Sequence, residues 1–423
     1  MVLLGDAEVV LPAFVSALEA CRSGGARRAE TLLALASVPG VYVPALYDVS
    51  YGANGRVTAV TPNAPGVPSE VVKQTHRGRV LAASAVVSPR MAWPDIFMVE
   101  VARSCPEMCR FCAASYLTLP FRPASLEDDS GQGLLASVAA GMAATRRLGL
   151  LGASITQHPQ FEELLAHLLQ PQFADVRMSL ASVRASTVTP ALAAALAQRG
   201  SESLTIAVES GSSRIRRVVN KKLSGAEILA AAAAAQSGGL KALKLYGMVG
   251  VPGEEEADVD ATVDMLSMLR KHAPKLRLTY GCSVFVPKPH TPFQWYGVHR
   301  DGEKRLTRLD KETRKLGIAF RPESYKWSLI QALLSRGDRR IAEVLLAVKG
   351  YGGSLGAFRR AFKDRVGTLP PLDDYVFRTA QPGAETLPWQ HLRGALPDAT
   401  LAVHAAEARA HMEELPTGRF DLD

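Results

Sequence analysis

From Asp95 onward, short apolar runs alternate with amphipathic stretches, and this alternation limits the possible folds more than any other feature of the chain. The runs at 96–102, 148–155, 176–183, 204–209, 242–249 and 276–286 have the length and apolar content of buried strands. Helical spacing fills the intervals at 132–147, 161–169, 189–199, 215–236 with a break near Ser224 and Gly225, and 255–272. Strand and helix in strict alternation predict right-handed βα units and an α/β fold built on a parallel sheet. Such a sheet, open or curled into a barrel, carries its chemistry at the carboxyl ends of its strands.

Flanking this region, residues 1–91 read as an amino-terminal connector with helices near 11–20 and 26–36 and a β-prone run at 55–60. Residues 298–423 read as a mostly helical extension, with helical stretches near 303–315, 327–348, 355–363 and 399–414. The division expected is therefore 1–91, 92–297 and 298–423. With 47% hydrophobic residues over 423 positions there is ample core material. The net charge of +8 suits anionic partners, yet its Arg and Lys are scattered in pairs such as Arg146-Arg147 and Lys221-Lys222. A solvated surface and nucleic-acid contact both remain open on that evidence.

No run reaches the length of a membrane span, and the amino terminus lacks a basic leader, so a soluble chain is expected. Its five cysteines are Cys21, Cys105, Cys109, Cys112 and Cys282. Three fall within eight residues, which is a ligand pattern and not a disulfide framework. A reducing compartment follows from that usage.

Cys105, Cys109 and Cys112 come directly after the first strand of the alternation, with Phe111 before the third. On a helix, offsets of 0, 4 and 7 share one face; in a loop, the sulfurs converge more tightly. Thiolates suit iron-sulfur iron or zinc. A zinc site would need a distant fourth ligand, for which His158 and Cys282 are the candidates. An iron-sulfur cluster on three cysteines leaves one iron open for a small molecule.

This CxxxCxxC pattern, with its aromatic residue and its place after a first strand, resembles the radical S-adenosylmethionine (SAM) superfamily. The resemblance implies a partial parallel (β/α)6 barrel of radical SAM type, a [4Fe-4S] cluster on Cys105, Cys109 and Cys112, and Phe111 near the adenine of SAM. It also implies reductive cleavage of SAM to a 5′-deoxyadenosyl radical that abstracts hydrogen from a substrate. Within the superfamily, Gly5 to Glu8, the segment 38–44 and the segment 286–295 are similar to the branch with an amino-terminal cobalamin-binding-type domain. No Asp-x-His-x-x-Gly motif occurs and the front of such a domain is missing, so cobalamin is not expected in this chain.

Other strand ends carry groups suited to a zwitterionic nucleoside cofactor. Strand two ends near Ser154, where the family often has a Glu for the SAM amino group; here backbone carbonyls and Ser154 are left for that contact. Arg184, after strand three, suits the SAM carboxylate or else a surface position. Strand four runs into Glu209 and Ser210, suited to an ammonium or a ribose hydroxyl, while Ser210 or Ser212 can instead cap the next helix. Gly250, Val251 and Pro252 form a glycine turn after strand five that resembles the family's adenine-side segment.

Past strand six, three prolines stiffen 287–295, which presents His290 and Trp295 as candidate catalytic or substrate-facing groups. The same loop equally suits a plain connector. An unidentified small molecule or RNA is the substrate expected, with an electron donor such as ferredoxin or flavodoxin. RNA methylthiolation is the alternative chemistry, and a noncatalytic cluster-binding partner the alternative class.

Overall fold

The structure, a computed structural model, describes residues 1–129, 131–181 and 183–423. Ser182, within the third expected strand, lies outside the described residues. Two compact units are present, and each is discontinuous in sequence. The first contains Met1–Arg77, Val286–Val298 and Lys326–His404; the second contains Gly78–Phe285, His299–Tyr325 and Ala405–Asp423. The sequence suggests three successive segments because periodicity is local, whereas the chain leaves and re-enters each unit.

The second unit holds the alternation. Its strands are β1 (Phe97–Arg103), β2 (Arg147–Gly152), β3 (Arg177–Leu180), β4 (Ser203–Glu209), β5 (Ala242–Val249), β6 (Arg277–Val284) and β7 (Ala319–Pro322). β1, β2 and β3 pair in parallel, as do β4, β5, β6 and β7. The two sheets meet through a parallel bridge between Val183 and Ile206, where Val183 N–H donates to Thr205 O at 3.0 Å. The strands thus run in sequence order along one open arc, a partial parallel barrel. Arg122–Pro123 closes the β1 edge with a short antiparallel pairing. All six expected strands are present. β7 is an addition: four residues, mostly exposed, carry no strand signal beyond their neighbours.

Helices that cover this sheet are α1 (Leu134–Ala144), α2 (Phe161–Leu168), α3 (Pro190–Gln198), α4 (Ser213–Val218), α5 (Gly225–Ser237), α6 (Glu256–His272) and α7 (Gly302–Lys315). The break expected near Ser224 and Gly225 within 215–236 is present, because Ser224 starts a new helix. Its hydroxyl accepts from Glu227 N–H at 3.1 Å, and Glu227 returns a carboxylate to Ser224 N–H at 2.8 Å. The core is aliphatic on both layers, with Leu148, Leu150, Ile206, Leu243, Leu245, Leu278, Ile228 and Leu266 buried. Gly211 is required where β4 turns toward α4, since a Cβ there would lie 2.3 Å from Ala261 O.

In the first unit, helices Ala7–Ser23 and Arg28–Ala36 enclose Val10, Leu35, Val41 and Val43. A hairpin, Tyr47–Tyr51 with Val57–Pro62, and a parallel pair, Val71–Val72 with Leu392–Arg393, surround Tyr42, Tyr47 and Val71. The helix expected over 327–348 appears as Tyr325–Arg336 and Ile341–Gly350. The break falls at Gly337 and Asp338, whose carboxylate takes Arg340 N–H at 2.9 Å and restarts the chain. Among the described residues, no helix is long and apolar enough to cross a membrane.

Candidate functional site

β1 delivers the chain into a loop that Ser104 (φ 71°) and Met108 (φ 57°) bend through the left-handed region before the short helix Ala113–Tyr116. Along this loop lie Cys105 and Cys112, partly accessible, and Cys109, buried; all three are free thiols. Cys112 N–H donates to Cys109 O at 2.9 Å. Burial pushes the Cys109 thiol up to about 12, the ammonium of Lys221 works against this, and Glu209, Cys112 and Cys105 add to it. Phe111 is half-buried on the same loop.

Residues beyond the end of α4 brace the loop. Asn220 Nδ2 donates to Met108 O at 2.9 Å and to Glu107 O at 3.3 Å. Arg110, itself buried, donates from Nη1 to Arg217 O at 2.8 Å and Val218 O at 3.1 Å, and pairs through Nη2 with Glu407 at 2.9 Å. A cation on the last carbonyls of a helix is favourable there. From the other side, Tyr116 OH donates to Met108 O at 3.2 Å.

The strand ends join the same network. Ser154, past β2, bonds Gln157, and Gln157 bonds the Glu107 carboxylate of the cysteine loop. Arg184, past β3, pairs with Glu107 at 2.9 Å, donates to Ser186 Oγ at 3.0 Å and Lys221 O at 3.1 Å, and also reaches Lys222 O. Most of its donors are thereby engaged inside the protein. Glu209 terminates β4 with φ 63°, a conformation rare for a residue with a side chain. Its carboxylate meets Lys221 Nζ at 2.9 Å, both side chains being about 12% exposed. Burial disfavours the Lys221 ammonium, but Glu209 and Cys109 outweigh it, and the pKa lies above the usual lysine value.

Ser210 is buried and serves the turn, accepting Ser212 N–H at 3.1 Å. The α4 cap falls to Ser212, which accepts from Ile215 N–H at 3.4 Å and donates to Asp258 at 2.6 Å. After β5, Gly250 (φ 74°) and Gly253 (φ 78°) shape the turn that holds Val251 and Pro252, both buried. Glu254 accepts the Gly250 N–H and pairs with Arg305 at 2.6 Å in the interior.

His158 and Cys282 stand apart from a zinc role. The His158 ring contacts Ala124 O at 2.7 Å and accepts Gln160 N–H at 3.0 Å, which uses both nitrogens. Cys282 is buried in β6, and burial raises its thiol pKa. Among the described residues no three His, Cys, Asp or Glu side chains gather around one point as a single metal ion requires. A cubane differs, because its thiolates bind separate iron corners; three free thiols on one braced loop, with a fourth corner left open, fit that donor set.

His290 and Trp295 belong to the first unit. His290 takes a left-handed φ of 58°, and its N–H donates to Gln294 Oε1 at 2.9 Å. Trp295 is buried and lines a cavity of about 240 Å³ with Pro382, Glu385 and Leu387, while Phe293 is wholly enclosed against Tyr296. In the second unit, a cavity of about 430 Å³ opens beside Glu209, lined by residues of β5 to β7 including Lys244, Tyr246, Cys282 and Arg321, and by Glu323 just past β7. Sequence reading passes over Glu107, Gln157, Lys221 and Asn220; the Lys221-Lys222 doublet is the one signal it offered, and it reads there as surface charge.

Residues 99–266, which contain the cysteine loop, most of β1 and all of β2 to β5 of the open parallel arc, match the model of the Radical SAM superfamily. Members of that superfamily use a [4Fe-4S] cluster and SAM. An uncharacterized protein of Methanocaldococcus jannaschii is 28% identical over 292 residues, covering 69% of this chain and 62% of that protein. The chain thus spans under two thirds of that relative's length. Among solved structures, coproporphyrinogen III oxidase of Escherichia coli aligns at 14% identity and TM-score 0.36, over 56% of this chain and 58% of that one. The radical SAM methyltransferase TsrM of Kitasatospora setae aligns at 14% identity and TM-score 0.42, over 67% and 51%.

Proposed function

We propose that this chain is a radical SAM enzyme in which Cys105, Cys109 and Cys112 hold a [4Fe-4S] cluster and the neighbouring strand ends hold SAM. The observation that carries the reading is the polar network Ser154, Gln157, Glu107, Arg184, with Lys221 and Glu209, which ties the ends of three strands to the cysteine loop. A network of largely buried charges this extensive is costly unless it positions something. When bound, the cluster supplies the electron that cleaves SAM, delivered by a reductant such as ferredoxin or flavodoxin.

Each residue then has a physical task. Lys221, with two ammonium donors left after Glu209, pairs with the SAM carboxylate. Glu209 accepts from the SAM ammonium or ribose, and Ser154 orients Gln157 toward Glu107. Arg184, with its donors spent on Glu107 and on carbonyls, acts as the brace of the cysteine loop. The turn Gly250, Val251, Pro252 lies along the adenine, as does Phe111.

The cavity beside Glu209 has the volume of a small-molecule site, and its mixed lining of Lys244, Arg321, Glu323 and the exposed Tyr246 favours a polar substrate carrying both donor and acceptor groups. The test is anaerobic incubation of reconstituted protein with SAM, reductant and either small-metabolite or RNA extracts. A SAM-dependent mass change confined to the small-metabolite pool is expected. A change confined to RNA would replace this reading with the RNA-modifying one.

A further inference from the structure

The first unit contains a cleft that the SAM chemistry leaves unused. Three guanidiniums, Arg56, Arg336 and Arg378, line a cavity of about 60 Å³ together with Tyr375, Leu387 and Trp389. Three carboxylates share the lining, and each is already matched. Asp374 pairs with Arg56 at 2.9 Å, Glu385 takes Arg378 through both oxygens, and Asp338 takes Arg340 at 2.8 Å and Tyr375 OH at 3.2 Å. Arg336 is left over. It is 8% exposed, and among the described residues no carboxylate lies within ion-pair distance of it. Its one hydrogen bond, Nη1 to Val376 O, is 3.5 Å long.

An arginine buried without an ion-pair partner is expensive, and the neighbouring Arg378 and Arg56 raise the cost, with Glu385, itself held by Arg378, offsetting part of it from beyond ion-pair distance. Burial, followed by Arg378, lowers the Arg336 pKa to about 10, so the group keeps its charge at neutral pH. Nε of Arg378 is also buried with no hydrogen-bond partner, which adds a second unmet donor at the same place. The cavity has room for several water molecules. One carboxylate or phosphate group fits in that space, and a planar guanidinium fork is the donor suited to either.

We propose that this cleft binds a compact oxyanion, a carboxylate or phosphate group borne by a small molecule, with Arg336 as its principal cation and Trp389 and Tyr375 as flanking walls. The site is independent of the cysteine loop, so it persists whether or not the radical reading holds.

Calorimetric titration of the full reconstituted chain with inorganic phosphate, and separately with acetate, tests it, with ionic strength held constant by potassium chloride. Saturable binding of at least one anion is expected, weakened about tenfold or more in Arg336→Met and unchanged in the exposed control Arg359→Gln. Phosphate alone or acetate alone assigns the source within the class. Absence of saturable binding to both at millimolar anion overturns the proposal, as does equal binding by Arg336→Met. Should that variant not fold, anion-dependent tryptophan fluorescence in the otherwise native chain decides: a change that disappears in Trp389→Phe supports the site, and no change overturns it.

Discussion

Lys221 Nζ sits 2.9 Å from Glu209 Oε1, and the same ammonium acts on the buried thiol of Cys109, so one lysine links the end of β4 to the cysteine loop. Removing either partner leaves a charge stranded with the other. Lys221→Met and Glu209→Gln are each expected to weaken SAM binding by about 10-fold to 100-fold, the value of one charge-assisted hydrogen bond, with iron content unchanged. Equilibrium dialysis with SAM alongside iron analysis checks this. Loss of iron in step with SAM would instead make the pair a structural support of the loop.

Asn220 holds the loop by its backbone, through Met108 O and Glu107 O. Asn220→Ala should cost about 1–3 kcal/mol of loop order and shorten the life of the loaded cluster without removing a ligand. The measurement is the decay of the cluster's visible absorbance under a chelator, compared with native protein. Equal decay rates would show that the loop holds itself.

Much of this site was legible in advance, and the boundary has a physical cause. The six parallel strands were visible because a buried strand imposes an apolar run on consecutive residues, and Cys105, Cys109 and Cys112 were visible because their ligand spacing is local. Glu209 stood out as a carboxylate at the end of an apolar strand. Glu107, Gln157 and Asn220 did not, since each finds its partner only after the chain has passed through further βα units, and Lys221 did not because it meets Glu209 only once α4 has turned the chain back. Arg184 was legible as a cation at a strand end, but the carbonyls that occupy it were not. The split at Asp338 rests instead on a local contact, Arg340 folding back onto its carboxylate.

Trp295 is 4% exposed within the first unit, and truncating a buried indole leaves a void. Trp295→Ala should lose about 3–5 kcal/mol of stability, read as a drop in denaturant midpoint. An unchanged midpoint with loss of substrate turnover would return this residue to the substrate-facing role its sequence context suggests.

His391 packs edge-on against Tyr42 at 4.9 Å, and neither ring nitrogen has a hydrogen-bond partner. Burial first, then Arg339, lowers its pKa to about 4 from the usual 6.5. Between those values the unfolded chain binds a proton that the folded chain refuses, so this residue's contribution to stability falls as pH drops from about 6.5 to about 4 and then levels off. His391→Phe should flatten the stability profile in that window relative to native protein. Parallel profiles would contradict the assignment.

The central claim is that the braced cysteine loop and the strand-end network make this chain cleave SAM. Anaerobically reconstituted protein, given SAM and a strong reductant without substrate, should release 5′-deoxyadenosine and methionine in equal amounts, with none from Cys109→Ala. A fully loaded and reduced cluster that binds SAM yet yields no 5′-deoxyadenosine would contradict it.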